Sequence, residues 1–419
     1  MRRVLPLLLA ALGALIAMPA TANAELFSPD FSFGSGVQAN GRFVQVGGVA
    51  TDNAGRVYVA DTGAGRVEVF DSGEFGNTYL TSIGVGVLVR PVDVEVDLRN
   101  RIFVTDEAGD KVVEFDTLND GAPYMREWGG SGTELNRMSG PRFVHTDTTG
   151  LAFNTEAGNV RVQWFAPKDK QMIAISAFGT AEPAPFNNPE GLTLDEATRQ
   201  IYVSNNSPTE GAVRVYDSRG LYLGQLAGPG FGRGQVSSPR GMSFDSARRL
   251  IVADSGNNRL DVFTNLADGG AFVDSYSGGL HSPVDVQPAP GALVYVSDAG
   301  SNTVKRLHYD DADLDGVLDT SDNCVGLANP DQSNMDRDPL GDACDADADG
   351  DGVANGADKC PSSRRGPDAN HDGCSDTLAA RRSVKCSTTK GTKRARRACE
   401  ARKRAAVRRA LRIARARRL

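Results

Sequence analysis

One apolar motif, repeated six times between Phe27 and Tyr309, leaves this chain few architectures to adopt. Val57-Tyr58-Val59-Ala60-Asp61, Ile102-Phe103-Val104-Thr105-Asp106, Leu151-Ala152-Phe153-Asn154-Thr155, Ile201-Tyr202-Val203-Ser204-Asn205, Leu250-Ile251-Val252-Ala253-Asp254 and Val294-Tyr295-Val296-Ser297-Asp298 are the copies. They start roughly 44 to 50 residues apart, the period of a propeller blade. A short apolar strand with a Pro or Gly lead-in precedes each. A polar turn and a third strand follow, as in Arg66-Val67-Glu68-Val69-Phe70 and Arg259-Leu260-Asp261-Val262-Phe263, whose alternation has the strand period. A fourth strand ends near Gly in each of the first five copies, as from Tyr79 to Gly84. The sixth copy lacks one, and the segment Phe27 to Gly34 is spare. The expectation is an all-β ring of six blades in which the N-terminal segment completes the last blade, leaving no open sheet edge.

The repeat resembles a known family. Pro, Gly and Asp recur at fixed places, and Val57 to Phe70 and Pro239 to Phe263 match best, with Ala253-Asp254-Ser255-Gly256-Asn257-Asn258-Arg259 close to the pattern of the NHL repeat. The third copy departs from it, with Asn154-Thr155-Glu156 in place of the usual Asp. The resemblance implies a six-bladed β-propeller over most of Phe27 to Tyr309 and implies little about function.

Beyond Tyr309 the chain changes character. Asp recurs at alternate positions in short runs, a density of like charge that no apolar core absorbs and that a hard divalent cation with oxygen ligands would order. A Ca2+ loop takes side-chain oxygens at positions 1, 3 and 5, a Gly at 6, a carbonyl at 7 and a carboxylate at 12. Asp311, Asp313, Asp315, Val317 and Asp322 fit one such loop, with Gly316 at the turn. Asp347, Asp349, Asp351, Val353 and Asp358 fit another, with Gly352. Asn334, Asp336, Asp338 and Asp345 form a third, where Pro339 replaces the Gly. Asp368, Asn370 and Asp372 start a fourth, with Ala379 at its twelfth position. The loops follow one another without the flanking helices of an EF-hand. Agreement at Asp, Gly, Asn and Cys together resembles thrombospondin type 3 repeats. This implies an extended, calcium-stapled string with almost no apolar core and a role in surface or matrix adhesion.

Charge and cysteine usage divide the remainder. The net charge is −7, yet from Arg381 onward 17 Lys and Arg face Glu400 alone, so the body is strongly acidic and the tail basic. From Ala395 the tail is rich in Ala, Arg and Leu, which favours helix. Three readings of it stay open: an anionic envelope polymer or lipid surface as partner, a fold back onto the acidic ladder, or a solvated arm. Nucleic acid is not expected. Arg2-Arg3, an apolar run from Leu5 to Met18 and Ala22-Asn23-Ala24 read as a secretory signal with the mature chain starting at Glu25. All six Cys lie beyond Tyr309, and an even count in an exported chain implies disulfides, with sequential pairing expected from the way Cys324/Cys344 and Cys360/Cys374 bracket acidic units.

The chain thus divides into a signal (1–24), a propeller (25–309), calcium-binding repeats (310–378) and a basic tail (379–419). The function expected is that of a secreted or cell-surface, non-catalytic calcium-binding interaction protein whose surface or matrix partner is unknown. The alternative is a lactonase- or lyase-like propeller enzyme with a metal in the central channel. His residues do not occupy the positions after the strand-initiating Pro, where Val92, Arg142, Glu190, Arg240 and Val284 stand instead. An oxygen-ligand channel site would draw on Glu190, Asn154, Asn205 and Asp254, the last two of which also suit a turn cap.

Overall fold

The structure, a computed structural model, describes residues 26–35, 40–73, 77–180, 185–290, 292–311, 313, 315, 317, 319, 321–360 and 401–409. The signal segment, most of the basic tail and the fourth Asp loop lie outside these residues.

The chain forms a six-bladed propeller. Blade 1 comprises Val46–Thr51, Val57–Asp61, Arg66–Asp71 and Thr78–Ile83, paired in that order as an antiparallel sheet. The innermost strands of the next five blades are Pro91–Val96, Pro141–Thr146, Pro189–Asp195, Pro239–Phe244 and Pro283–Ala289. Each is followed by its own second and third strands. In blade 6 the fourth place is taken by Phe27–Phe33, which pairs antiparallel with Thr303–Tyr309, Phe27 opposite Tyr309 and Phe33 opposite Val304.

The packing explains why the second strands are apolar throughout rather than at alternate positions. Every sheet is sandwiched between two others. In Val57–Asp61, Tyr58 and Ala60 face the seam with blade 2, whereas Val57 and Val59 face the seam with blade 6. Six apolar clusters occupy the six seams between neighbouring blades. Each Val or Phe buried there contributes roughly 1.5–3 kcal/mol.

A second device recurs in all six blades. The acid or amide ending the second strand accepts backbone N–H groups from the loop that enters the innermost strand. Asp61 takes Val44 and Gln45 (both 3.0 Å), and Asp106 takes Val89 (3.1 Å) and Arg90 (2.8 Å). Glu156 takes Ser139 (3.3 Å), and Asn205 takes Asn187 (2.8 Å) and Asn188 (3.0 Å). Asp254 takes Ser237 (2.7 Å), and Asp298 takes His281 (2.8 Å). The third copy is therefore less degenerate than its sequence reads. Its second strand is Ala152–Glu156, one residue later than expected, and Glu156 fills the acid position opposite Pro141.

The propeller and the Asp ladder meet at one end of the ring. Asp310 N–H donates to the Leu26 carbonyl at 3.0 Å, and Ser28 Oγ donates to Asp310 at 2.8 Å. Beyond this junction residues 321–360 are turns and bends. Residues 401–409, in the basic tail, are α-helical. Among the described residues no helix is long and apolar enough to cross a membrane.

Candidate metal centres and the propeller channel

In the ladder, most aspartates accept the backbone N–H two residues on. Asp313 takes Asp315 (3.2 Å), Asp315 takes Val317 (2.8 Å) and Asp322 takes Cys324 (2.8 Å). Asp336 takes Asp338 (3.0 Å), Asp349 takes Asp351 (3.3 Å), Asp351 takes Val353 (3.0 Å) and Asp358 takes Cys360 (2.6 Å). These bonds fix each carboxylate by one oxygen and leave the other for a second partner.

The fold then gathers the carboxylates into three groups: Asp311/Asp313/Asp315, Asp336/Asp338/Asp345 and Asp347/Asp349/Asp351, each with ligand atoms within 4.8 Å of one another. Asp313 Oδ2, Asp322 Oδ2 and Asp347 Oδ1 are buried without a hydrogen-bond partner. Like charges this close, with oxygens out of water and unsatisfied, carry a cost that a dication removes. The donor set is all oxygen, as Ca2+ requires. Asp345, at the twelfth position of the Asn334 loop, joins Asp336 and Asp338. Asp322 and Asp358 lie outside the three groups. Asn334 is bonded at both ends of its amide to local backbone, to Arg337 N–H (2.5 Å) and the Asp338 carbonyl (2.7 Å). Gly352, at a sixth position, has φ +96°, which a side chain would resist. Asp368, Asn370 and Asp372 lie outside the described residues.

Disulfides hold this stretch, with Cys360 bonded as well as Cys324 and Cys344. Cys324 and Cys344 form a disulfide with Cα atoms 5.6 Å apart, the first of the sequential pairs expected. Cys324 is buried, in a segment with almost no other core.

In the propeller, the innermost strands line the channel in layers. At one mouth stand Val92, Arg142, Glu190, Arg240 and Val284 with Gly47. Deeper lie Asp93, Asp285, Glu95 and His145. Asp93 accepts the Val144 N–H of the next blade (2.9 Å), and Asp285 accepts the Val49 N–H of blade 1 (2.9 Å). Both acids replace a Gly of the repeat, and each abuts a neighbouring blade's Gly: a Cβ on Gly48 would lie 2.2 Å from Asp93 Oδ1, and one on Gly241 2.0 Å from Asp285 Oδ1. Burial, then Asp285, raises the Asp93 carboxyl well above the usual range. Burial raises Asp285 to about 7. Burial and the Asp285 charge push Glu95 up to about 8, and burial lowers His145 to about 4. Glu95 and His145 are 3.4 Å apart, and burial favours the neutral pair. None of the four was singled out from the sequence as a site residue. The usable signal was an Asp where other blades carry Gly.

Of the oxygen-ligand set weighed for the channel, Asn205 and Asp254 cap loop amides. Asn154 Nδ2 donates to the Phe143 carbonyl (3.3 Å) while its Oδ1 is buried without a hydrogen-bond partner, and Glu190 faces Arg142 at the mouth (3.7 Å).

The class so defined is a six-bladed propeller carrying a string of acidic, disulfide-stapled loops. The chain carries thrombospondin type 3 repeats over residues 309–332 and 334–364 and an NHL repeat over residues 43–70. It is 49% identical over 61 residues to cartilage oligomeric matrix protein of Mus musculus (12% of this chain, 8% of that protein). It is 44% identical over 62 residues to thrombospondin-3a of Danio rerio (12% and 6%). The chain thus spans less than a tenth of the length of the curated relatives it matches. Among solved structures it resembles a streptogramin B lyase (11% identity, 67% of this chain and 97% of that one, TM-score 0.48). It also resembles a gluconolactonase of Xanthomonas campestris (13% identity, 64% and 86%, TM-score 0.49).

Proposed function

We propose that this is an extracellular, non-catalytic interaction protein in which Ca2+ orders the aspartate string and the propeller presents a ligand-binding face. The observation that carries the reading is the set of three carboxylate groups, two of which hold a buried, unpartnered oxygen, at Asp313 and Asp347. Asp311, Asp313, Asp315, Asp336, Asp338, Asp345, Asp347, Asp349 and Asp351 would supply the ligand oxygens, with Asp322, Asp358 and the carbonyls of Val317 and Val353 completing loops. Calcium would supply charge neutralisation and rigidity. The string leaves the propeller at the end where Leu26 meets Asp310, so the opposite mouth is free of it among the described residues. The proposed divisions are a signal over 1–24, a propeller over 25–309, calcium repeats over 310–378 and a basic tail over 379–419.

Calorimetric titration of the chelator-stripped full chain with Ca2+ tests this. Uptake of several ions, with affinity on the order of 10⁻⁴–10⁻³ M as in other extracellular modules, is expected. Absence of heat at millimolar Ca2+ and an unchanged far-UV spectrum would overturn the reading.

A further inference from the structure

We infer that the channel mouth remote from the aspartate string is a binding site for a hydroxylated monocarboxylate, a hexuronate-type acidic sugar. This rests on the interaction-protein reading above and names the ligand of its propeller. All six blades contribute to the mouth, which encloses about 280 Å³ on the ring axis. That is below the usual range for drug-sized ligands and suits a single sugar ring.

The charges at the mouth do not balance. Arg90 and Arg142 share the Glu107 carboxylate, at 2.7 and 2.8 Å. Arg142 Nε is buried without a hydrogen-bond partner and stands 3.7 Å from Glu190 Oε2. Arg240, on the far side of Glu190 in blade order, has no ion-pair or hydrogen-bond partner for its guanidinium among the described residues. Among the side chains lining the recess and their ion-pair partners, three guanidiniums stand against two carboxylates, an excess of one positive charge. A monoanion neutralises it, whereas a phosphate dianion would overcompensate beside Glu190. A planar carboxylate also matches the guanidinium fork.

The rest of the lining selects for hydroxyls. Glu190 is 7% exposed, and no donor lies within hydrogen-bond distance of its carboxylate among the described residues. Asn188 and Asn206 add amide groups beside it, and Asn188 Nδ2 already donates to the Asn206 carbonyl (3.1 Å), which holds its side chain in place. Acceptors and donors alternating around a cationic point are what a ring of hydroxyls bearing one carboxylate presents. Asp93 and Asp285 line a different, deeper cavity of the channel and are not among the residues lining this recess.

The experiment is saturation-transfer NMR and calorimetry on the full chain in EDTA, with glucuronate and glucose as probes, and with Arg240→Gln beside the unaltered protein. Binding of glucuronate but not glucose, weakened at least about tenfold in Arg240→Gln at unchanged Tm, is expected. Equal response to the two sugars, or none to glucuronate at tens of millimolar, overturns the inference, as does full affinity in Arg240→Gln. The comparison of sugars on the unaltered protein stands even if the variant does not fold. Because the probes are monomers and calcium is chelated, failure here leaves the calcium titration untouched, and failure of calcium uptake leaves this result readable.

Discussion

Arg249 Nη1, in the fifth blade, lies 3.4 Å from Oδ2 of Asp311, the first aspartate of the ladder. Both side chains are buried. Arg249 also pairs with Asp245 through Nε at 2.7 Å, and its guanidinium sits 5.7 Å from the ring centre of Tyr309. A residue proposed above as a ligand of the first cation is therefore already held by the propeller. Breaking a buried pair by removing one partner costs about 3–5 kcal/mol, because the other charge is left uncompensated. Arg249→Met should lower the Tm of the calcium-free protein accordingly. Added Ca2+ should restore part of the loss through Asp311, so the calcium-induced rise in Tm should exceed that of the unaltered chain. Equal rises in the two proteins would show that the two sites are not coupled.

Acidity in the channel sets a pH dependence. Asp285 at about 7 and Glu95 at about 8 are raised above their ordinary values of 3.8 and 4.5. Burial also raises Asp261, beside Asp254, to about 8. A raised acid favours the folded state fully below its unfolded pKa, and that stability is lost as pH climbs through the folded value. Asp147, Asp195 and Asp217 are lowered, so their contribution changes only in acid. His145, lowered by burial, gives no slope above its ordinary value of 6.5. Between pH 6.5 and 9 the Tm in EDTA should fall, and Asp285→Asn should flatten the fall. A Tm that rises across this window contradicts the assignment.

Gly48 and Gly241 are fixed by their neighbours. A Cβ on either would overlap a carboxylate oxygen and come within 2.9 Å (Gly48) or 2.8 Å (Gly241) of a backbone Cα. Alanine at either position should cost about 1–3 kcal/mol in denaturant unfolding, the range for overpacking. A change within 0.5 kcal/mol would mean that the channel strands shift freely.

The Cys324–Cys344 disulfide closes a separation of 20 residues. By chain entropy such a closure contributes about 3 kcal/mol to the segment it spans. Replacing both with Ser should weaken calcium uptake in calorimetry while leaving the propeller transition in place. Loss of both together would show one cooperative unit instead of two.

What could be read in advance follows the range of the interactions. The blades were legible because burial on two faces makes each second strand a continuous apolar run, visible locally. The three carboxylate groups were legible in outline for the same reason, since Asp at alternate positions is a local spacing. The third copy's second strand was placed one residue early because Leu151, just before it, is as apolar as the strand itself. Asp93 and Asp285 passed unnoticed because their role depends on Gly48 and Gly241 in adjacent blades. The contact between Arg249 and Asp311 joins elements 62 residues apart, and no periodicity announces it.

The pairing of Phe27–Phe33 with Thr303–Tyr309 imposes an order on biosynthesis. A nascent chain exposes its opening strand first, yet that strand's partner emerges from the ribosome only some 280 residues later. Until then the growing array has two bare margins, each able to recruit another polypeptide. Topology of this kind folds slowly, so the yield of this protein should depend on how well those margins are shielded while translation finishes.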